Sequence, residues 1–220
     1  PTLQARCETV EAQLPDACVG LCKIRCPDGT VAPALSAGRT LRFRTTEIPS
    51  LGYAVFGLER GAAEPAVAEA LAEPPVLENG FYRLTFDGDG GITGIYDKVL
   101  KRELVDIRAP YRCNQLVYSK DRNKTFVSPA RARFEVESSV LGRTVTARFD
   151  DTNTLAEIVQ RVSLPSHEKR IDIDNRLNRA RDLGSTKRWD RFGYYAFPFA
   201  VPGPEFRVGL NGCHADAYKD

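Results

Sequence analysis

The most regular signal in this chain is an alternation of apolar and polar positions with period two. Residues 131–140 read RARFEVESSV, with Ala132, Phe134, Val136 and Val140 on one face and Arg131, Arg133, Glu135 and Glu137 on the other. Residues 143–149 repeat the pattern with Val145, Ala147 and Phe149 inward. Residues 169–177 set Ile171, Ile173 and Leu177 opposite Arg170, Asp172, Asp174 and Arg176. Successive side chains of a strand point to opposite faces, so these segments predict antiparallel strands wetted on one side. Residues 81–86 and 92–96 flank Asp87-Gly88-Asp89-Gly90-Gly91, a hairpin turn by composition. Roughly a dozen segments fit this template and helical periodicity is nearly absent. The expected fold is all-β.

One stretch breaks the pattern. Residues 61–75 (GAAEPAVAEALAEPP) are rich in Ala, Glu and Pro, and the prolines bracket the only short helical possibility, so a linker is expected there. Before it lie about four strands by pattern, among them 40–45 and 53–58, too few to close a sandwich. The predicted organisation is a partial small β domain over 1–60, a linker over 61–75, and a larger β domain over 76–220 that is truncated at its C-terminus. The chain has 220 residues, 24.4 kDa, and it starts at Pro1 without a single Met. It is therefore expected to be a piece of a longer protein. Charged residues make up 27% and hydrophobic ones 42%, which excludes a disordered segment. The net charge of +2 gives no reason to expect nucleic acid or a membrane as partner.

Six cysteines stand at 7, 18, 22, 26, 113 and 213, three of them as C-x3-C-x3-C. If Cys18, Cys22 and Cys26 share one strand, neighbours in the series lie about 13 Å apart, too far for a disulfide or a common metal. Free thiols are expected, which favours a reducing, cytoplasmic compartment. Other motifs are weaker still. Placing Asp87 and Asp89 in a calcium loop leaves its first and twelfth positions to Thr85 and Tyr96, without carboxylates. His214-Ala215-Asp216 has the spacing of some zinc sites, but His167 is the only other histidine. Glycoside hydrolysis needs two carboxylates. Asp150-Asp151 falls in a turn, and Asp172 and Asp174 alternate with arginines on a solvated face, where cross-strand ion pairing explains them. No catalytic or metal-binding residue is assigned.

The aromatic segment is more informative. Trp189, the only tryptophan, is followed by FGYYAFPF over 192–199. Phe197 and Phe199 are expected in the core. Trp189 and Tyr194 admit two readings: a platform for a sugar ring or packing at the end of a sandwich strand. Asn114-Gln115 could join such a platform, because amides both donate and accept, or could satisfy backbone groups at a strand edge.

Several passages in series resemble the C-terminal β region of family 38 glycoside hydrolases, the retaining α-mannosidases. They are Ile48-Pro49-Ser50-Leu51-Gly52-Tyr53, LENGFYRLTF over 77–86, GITGIYDK over 91–98, RELVD over 102–106, PYRCNQLVY over 110–118, Asp174-Asn175-Arg176-Leu177 and Tyr195-Ala196-Phe197-Pro198-Phe199. The last pair is similar to one bacterial-type branch, although Asp190-Arg191 stands where that branch shows a Lys-Glu pair. The resemblance implies a galactose-mutarotase-like supersandwich of two antiparallel sheets, preceded by the end of a smaller β domain. It also implies a separate N-terminal catalytic barrel holding zinc and the nucleophile. This chain is then a non-catalytic portion whose partners are its own barrel and carbohydrate, with homo-oligomerisation left open. The tentative carbohydrate-binding residues are Trp189, Tyr194, Asn114 and Gln115, and zinc is a cofactor of the barrel alone. A free-standing carbohydrate-binding module is the second reading. A mutarotase-type epimerase, which needs a paired acid and base, is the third.

Overall fold

A computed structural model describes residues 4–18, 21–61, 66–119, 126–149, 155–179, 193–204, 207–210 and 213–216. It is all-β, and the one helical element described is a 3-10 turn at Asp16–Cys18. The first part holds six strands: β1 (Thr9–Gln13), β2 (Leu21–Arg25), β3 (Val31–Ala32), β4 (Ala34–Ala37), β5 (Thr40–Arg44) and β6 (Gly57–Arg60). They form two three-stranded antiparallel sheets, β1-β5-β4 and β3-β2-β6. Leu14, Ile24, Cys26, Ala32, Ala34, Leu41 and Phe43 fill one core here, with Phe56 edge-on to Phe43. Six strands with a core of their own replace the four expected.

The second part begins with β7 (Val67–Leu71), β8 (Val76–Glu78), β9 (Tyr82–Phe86), β10 (Ile92–Asp97) and β11 (Arg102–Glu103). It continues through β12 (Gln115–Ser119), β13 (Phe126–Val127), β14 (Ala132–Ser139), β15 (Gly142–Phe149), β16 (Leu155–Pro165), β17 (Asp172–Arg179) and β18 (Gly193–Ala196). A hairpin of β19 (Arg207–Leu210) and β20 (Cys213–Asp216) follows. One layer is the five-stranded sheet β17-β16-β15-β14-β7. The other is built from β11-β10-β9-β8 and β13-β12-β18, tied together by the bridges Ile92–Cys113 and Val105–Phe199. Leu77, Leu84, Ile92, Ile95 and Leu116 from the second layer meet Phe134, Val136, Val145, Ile158, Val162 and Leu164 from the first in a single core. The antiparallel sheets are those the alternation predicts, and their pairing into a large sandwich is what the family resemblance implies; Phe134, Val136, Val145, Ala147 and Phe149 are buried as expected.

Several expectations are corrected. The segment 61–75 contains β7, which pairs with β14 in register from Phe134–Leu71 to Ser138–Val67 and forms a sheet edge. Segment 53–58 becomes a strand only from Gly57, and Leu51, Tyr53 and Val55 are exposed before it. Cys18 lies on the 3-10 turn and Cys26 beyond the end of β2, so the three cysteines do not share a strand. Leu177 is exposed near the end of β17, although Ile171 and Ile173 pack on the core as read. The β9–β10 turn forms as expected: Asp87 Oδ1 accepts from the N–H groups of Asp89 and Gly91, and Gly90 takes φ +79°. Gly90 also has to be glycine for space, since a Cβ there would sit 2.6 Å from the Phe149 ring.

The two parts meet at the turn between β16 and β17. Glu168 Oε1 accepts from Arg44 Nη1 at 2.9 Å and from Thr9 Oγ1 at 3.2 Å, while Oε2 pairs with Arg170 at 3.0 Å. Thr9 and Arg44 are direct register partners on β1 and β5, so one carboxylate holds both strands. Asn79 fixes that turn from the other side. Its Nδ2 donates to Pro165 O at 2.6 Å, and its Oδ1 accepts from Phe81 N and Tyr82 N at 2.8 and 2.7 Å. Asn79→Ala should therefore cost about 2–3 kcal/mol, because backbone groups are left unpaired inside the junction. The check is a lowered urea midpoint at unchanged m-value.

Candidate functional site

The polar residues of the family-like passages can be followed one by one. Asp97 is buried and ends β10. Its Oδ1 accepts from Val99 N and Leu100 N, both at 2.9 Å, and its Oδ2 lies 2.9 Å from Lys169 Nζ. Burial alone would raise its pKa, but the two backbone donors and the ammonium outweigh that and hold the carboxyl below its usual range. Glu103 Oε1 accepts from the N–H groups of Ile95, Leu104 and Val105 at 2.6, 3.0 and 3.0 Å. Lys98 Nζ donates to Asn79 O at 2.6 Å and pairs with Glu78 at 2.7 Å. Asp28, Glu59 and Glu78 are, like Asp97, shifted downward by their hydrogen-bond partners. Glycoside hydrolysis needs one carboxyl shifted the other way. Asp172 pairs with Arg170, just before β17, and Asp174 with Arg176 on the same strand, so these ion pairs are local rather than across strands.

Asn114 is wholly buried, with φ +59° just before β12. Its Oδ1 accepts from Asn175 Nδ2 at 2.7 Å and its Nδ2 donates to Asn175 Oδ1 at 3.2 Å, a reciprocal amide pair between the two layers. Its N–H donates to Ala196 O, and its carbonyl accepts from Gln160 Nε2 at 2.9 Å. Asn114, expected from the sequence as a carbohydrate-binding residue, is placed as a clamp between the sheets with its side chain wholly buried. Gln115 is half-buried and similarly engaged: Nε2 donates to Ser128 Oγ at 3.0 Å and Oε1 accepts from Arg112 N at 2.7 Å. Sequence alone could not find Gln160 or Asn175, because the pairing is set by the facing of two layers.

Tyr194 remains at the surface on β18. Its ring is edge-on to Tyr111 at 6.3 Å and to Phe126 at 6.4 Å. Desolvation first, and a hydrogen bond with Tyr111 second, raise the pKa of its phenol. Val117 faces Tyr194 in register and is fully buried, so this aromatic group caps the outer face of β13-β12-β18. Tyr195 points the other way, onto the main core, where burial raises its pKa. Trp189 lies outside the described residues, as do Asp150 and Asp151 and the side chain of His214. Phe197 and Phe199, expected in the core, are instead exposed and stacked on each other with ring centroids 6.3 Å apart. The missed signal is their spacing: two residues apart on an edge segment, they share one face, and that face is outward.

Two measurements follow from these environments. Asp97 has a depressed folded pKa, so its contribution is present at neutral pH and is lost as pH falls through that value. Asp97→Asn should lower Tm at pH 7, and the gap to the parent should narrow toward pH 3. For the cysteines, Cys7, Cys18, Cys26 and Cys113 are free thiols, and burial pushes the Cys113 thiol up to about 11. Native protein at pH 8 should lose the exposed Cys7 to alkylation while Cys113 is spared, and denatured, unreduced protein should titrate six thiols.

Among curated proteins none matches the chain. One family model does, that of the glycosyl hydrolases family 38 C-terminal domain, over residues 77–208. The match covers more than half of the chain and takes in the sandwich strands from β8 to β18, leaving out β7. The chain belongs to glycosyl hydrolase family 38, whose non-catalytic C-terminal region it carries.

Proposed function

We propose that this chain is the β portion of a zinc-dependent retaining α-mannosidase, buttressing an N-terminal catalytic barrel and lending residues to its sugar site. The observation that carries the proposal is the apolar surface around the Val105–Phe199 bridge. Ile107, Phe197, Phe199 and Val201 are 67, 45, 53 and 53% exposed, yet they stand on backbone held by Asp106 N to Pro198 O and Ala200 N to Leu104 O bonds of 2.8 Å. Ordered apolar side chains gathered on a rigid surface are what a neighbouring domain covers. Among the described residues no three His, Cys, Asp or Glu side chains converge, so they offer zinc no donor set. Zinc belongs to the barrel in this reading, and the chemistry with it.

The aromatic cap favours a second reading, a carbohydrate-binding module. Tyr111, Phe126 and Tyr194 give ring surface with phenol hydroxyls at its rim, which suits the apolar face and the hydroxyls of a sugar. The two readings separate on affinity: a module binds sugar alone, a buttress does not.

Three outcomes are expected. The 220-residue chain alone should not turn over an aryl α-mannoside. In the enzyme with its barrel, replacing Phe197 and Phe199 by Ser should lower the Tm of the whole while leaving the isolated β portion as stable as before; an unchanged whole enzyme overturns the buttress. In the same enzyme Trp189→Ala or Tyr194→Ala should reduce kcat/KM by about tenfold or more at unchanged stability if these rings touch sugar. Unchanged kinetics would leave them as packing.

A further inference from the structure

Beside the Glu168 junction lies a cavity of about 270 Å³ that the sugar reading does not use. It is lined on one side by the β2–β3 turn and the end of β5, including Thr30, Arg44, Thr45 and Thr46, and on the other by His167. We propose that this cavity is a binding site for a small oxyanion, such as inorganic phosphate or the carboxylate of an acidic sugar. The proposal stands independently of the mannosidase reading.

The donors are the first argument. Arg44 gives one guanidinium nitrogen, Nη1, to Glu168, and its other side-chain nitrogens make no described hydrogen bond. His167 makes none among the described residues, and neither does the Thr46 hydroxyl. Thr45 and Thr30 are committed, to Glu8 and Asp28. Arg44, His167 and Thr46 thus line one space with hydrogen-bonding capacity to spare, and no carboxylate is among its lining residues. Arg44 is also pre-set. Its side chain is 22% exposed and is anchored by a carboxylate that is itself 13% exposed, so little rotamer freedom is left to lose when an anion arrives. A planar fork of this kind suits an oxyanion better than an ammonium does.

The second argument is charge. Glu168 is the carboxylate next to the cavity, and it is shared between two guanidiniums, Arg44 and Arg170, with Thr9 as a third donor. Arg170 divides itself between Glu168 and the half-exposed Asp172. The acidic side of the junction is therefore satisfied without the free edge of Arg44. An anion seated there would meet residues of both parts of the molecule, β5 from the first and the β16–β17 turn from the second. It would brace their junction.

The chain has two histidines, so the imidazole C–H resonances give a direct local readout. The protein is titrated with phosphate and, in a second arm, with glucuronate, each against chloride at matched ionic strength. A saturable shift of the His167 resonance with either oxyanion, absent with chloride, is expected, together with a raised Tm. Saturation by phosphate alone assigns a tetrahedral anion, and saturation by glucuronate alone assigns an acidic sugar. Arg44→Lys, which keeps the charge that Glu168 needs, should weaken binding by about tenfold. Thr46→Val, which leaves the junction untouched, should weaken it by a smaller factor and guards against a misfolded Arg44 variant. Shifts equal to those in chloride, or unchanged in both variants, would overturn the site.

Discussion

The arrangement of the two parts depends on one carboxylate. Glu168 takes Arg44 and Thr9 from facing positions of β5 and β1, and it is mostly withdrawn from water. An ion pair in such a place has lost most of its hydration, and it is favourable only when its geometry is set in advance. That setting comes from the second part. Asn79 pins the 165–168 turn by its amide, and Lys169, one residue past Glu168, is drawn to the buried Asp97. The backbone that presents Glu168 is thus held on both sides. Loss of Lys169 would leave the buried Asp97 carboxylate without its counter-ion.

The same residues explain why the family-like passages carry no catalytic signature. Asn79, Asp97 and Glu103 are the polar residues that a search for chemistry would select from them. Each turns a side-chain oxygen to main-chain N–H groups. In Asp97 burial is outweighed by those donors and by Lys169, which favour the charged form. General acid catalysis requires the reverse environment, an apolar one that keeps the proton on. The passages encode tight turns, a bulged ladder between β9 and β10, and, through Asn79, a brace for the turn after β16.

Legibility in the sequence followed wetting. Strands β14 and β15 have one face in the core and one in water, and their alternation was plain. Strand β7 has an Ala-Glu-Pro-rich surrounding, and its residues are exposed except Leu71. It is a strand because β14 offers an unpaired edge, and no local pattern can report a neighbour. Asn114 and Gln115 were visible as a polar pair, but their roles were not. One is sealed between layers by Asn175 and Gln160, which come from distant positions, and the other is spent on Ser128 and on the nearby backbone of Arg112. Tyr194, for which the sequence admits a platform or packing, is a surface ring on a strand. Phe197 and Phe199 are large and apolar, which predicts core positions, yet they stand exposed. Size and hydrophobicity say that a side chain prefers cover, not whether this part of the protein supplies it.

That distinction gives the molecule a direction. The five-stranded sheet turns Arg133, Glu135 and Glu137 away from the core, a face suited to water. The three-stranded sheet behaves differently: its inner side packs Leu116, Tyr118 and Tyr195 on the core, and its outer side carries rings. Those rings share the outer face with the fully buried Val117 and cover it. The exposed Phe197–Phe199 stack stands on backbone held by the Val105 bridge. An apolar side that cannot fold itself away stays available to whatever completes it, while the charged side resists association. The polarity of the sandwich, more than any single residue, sets which of its faces suits burial and which suits water.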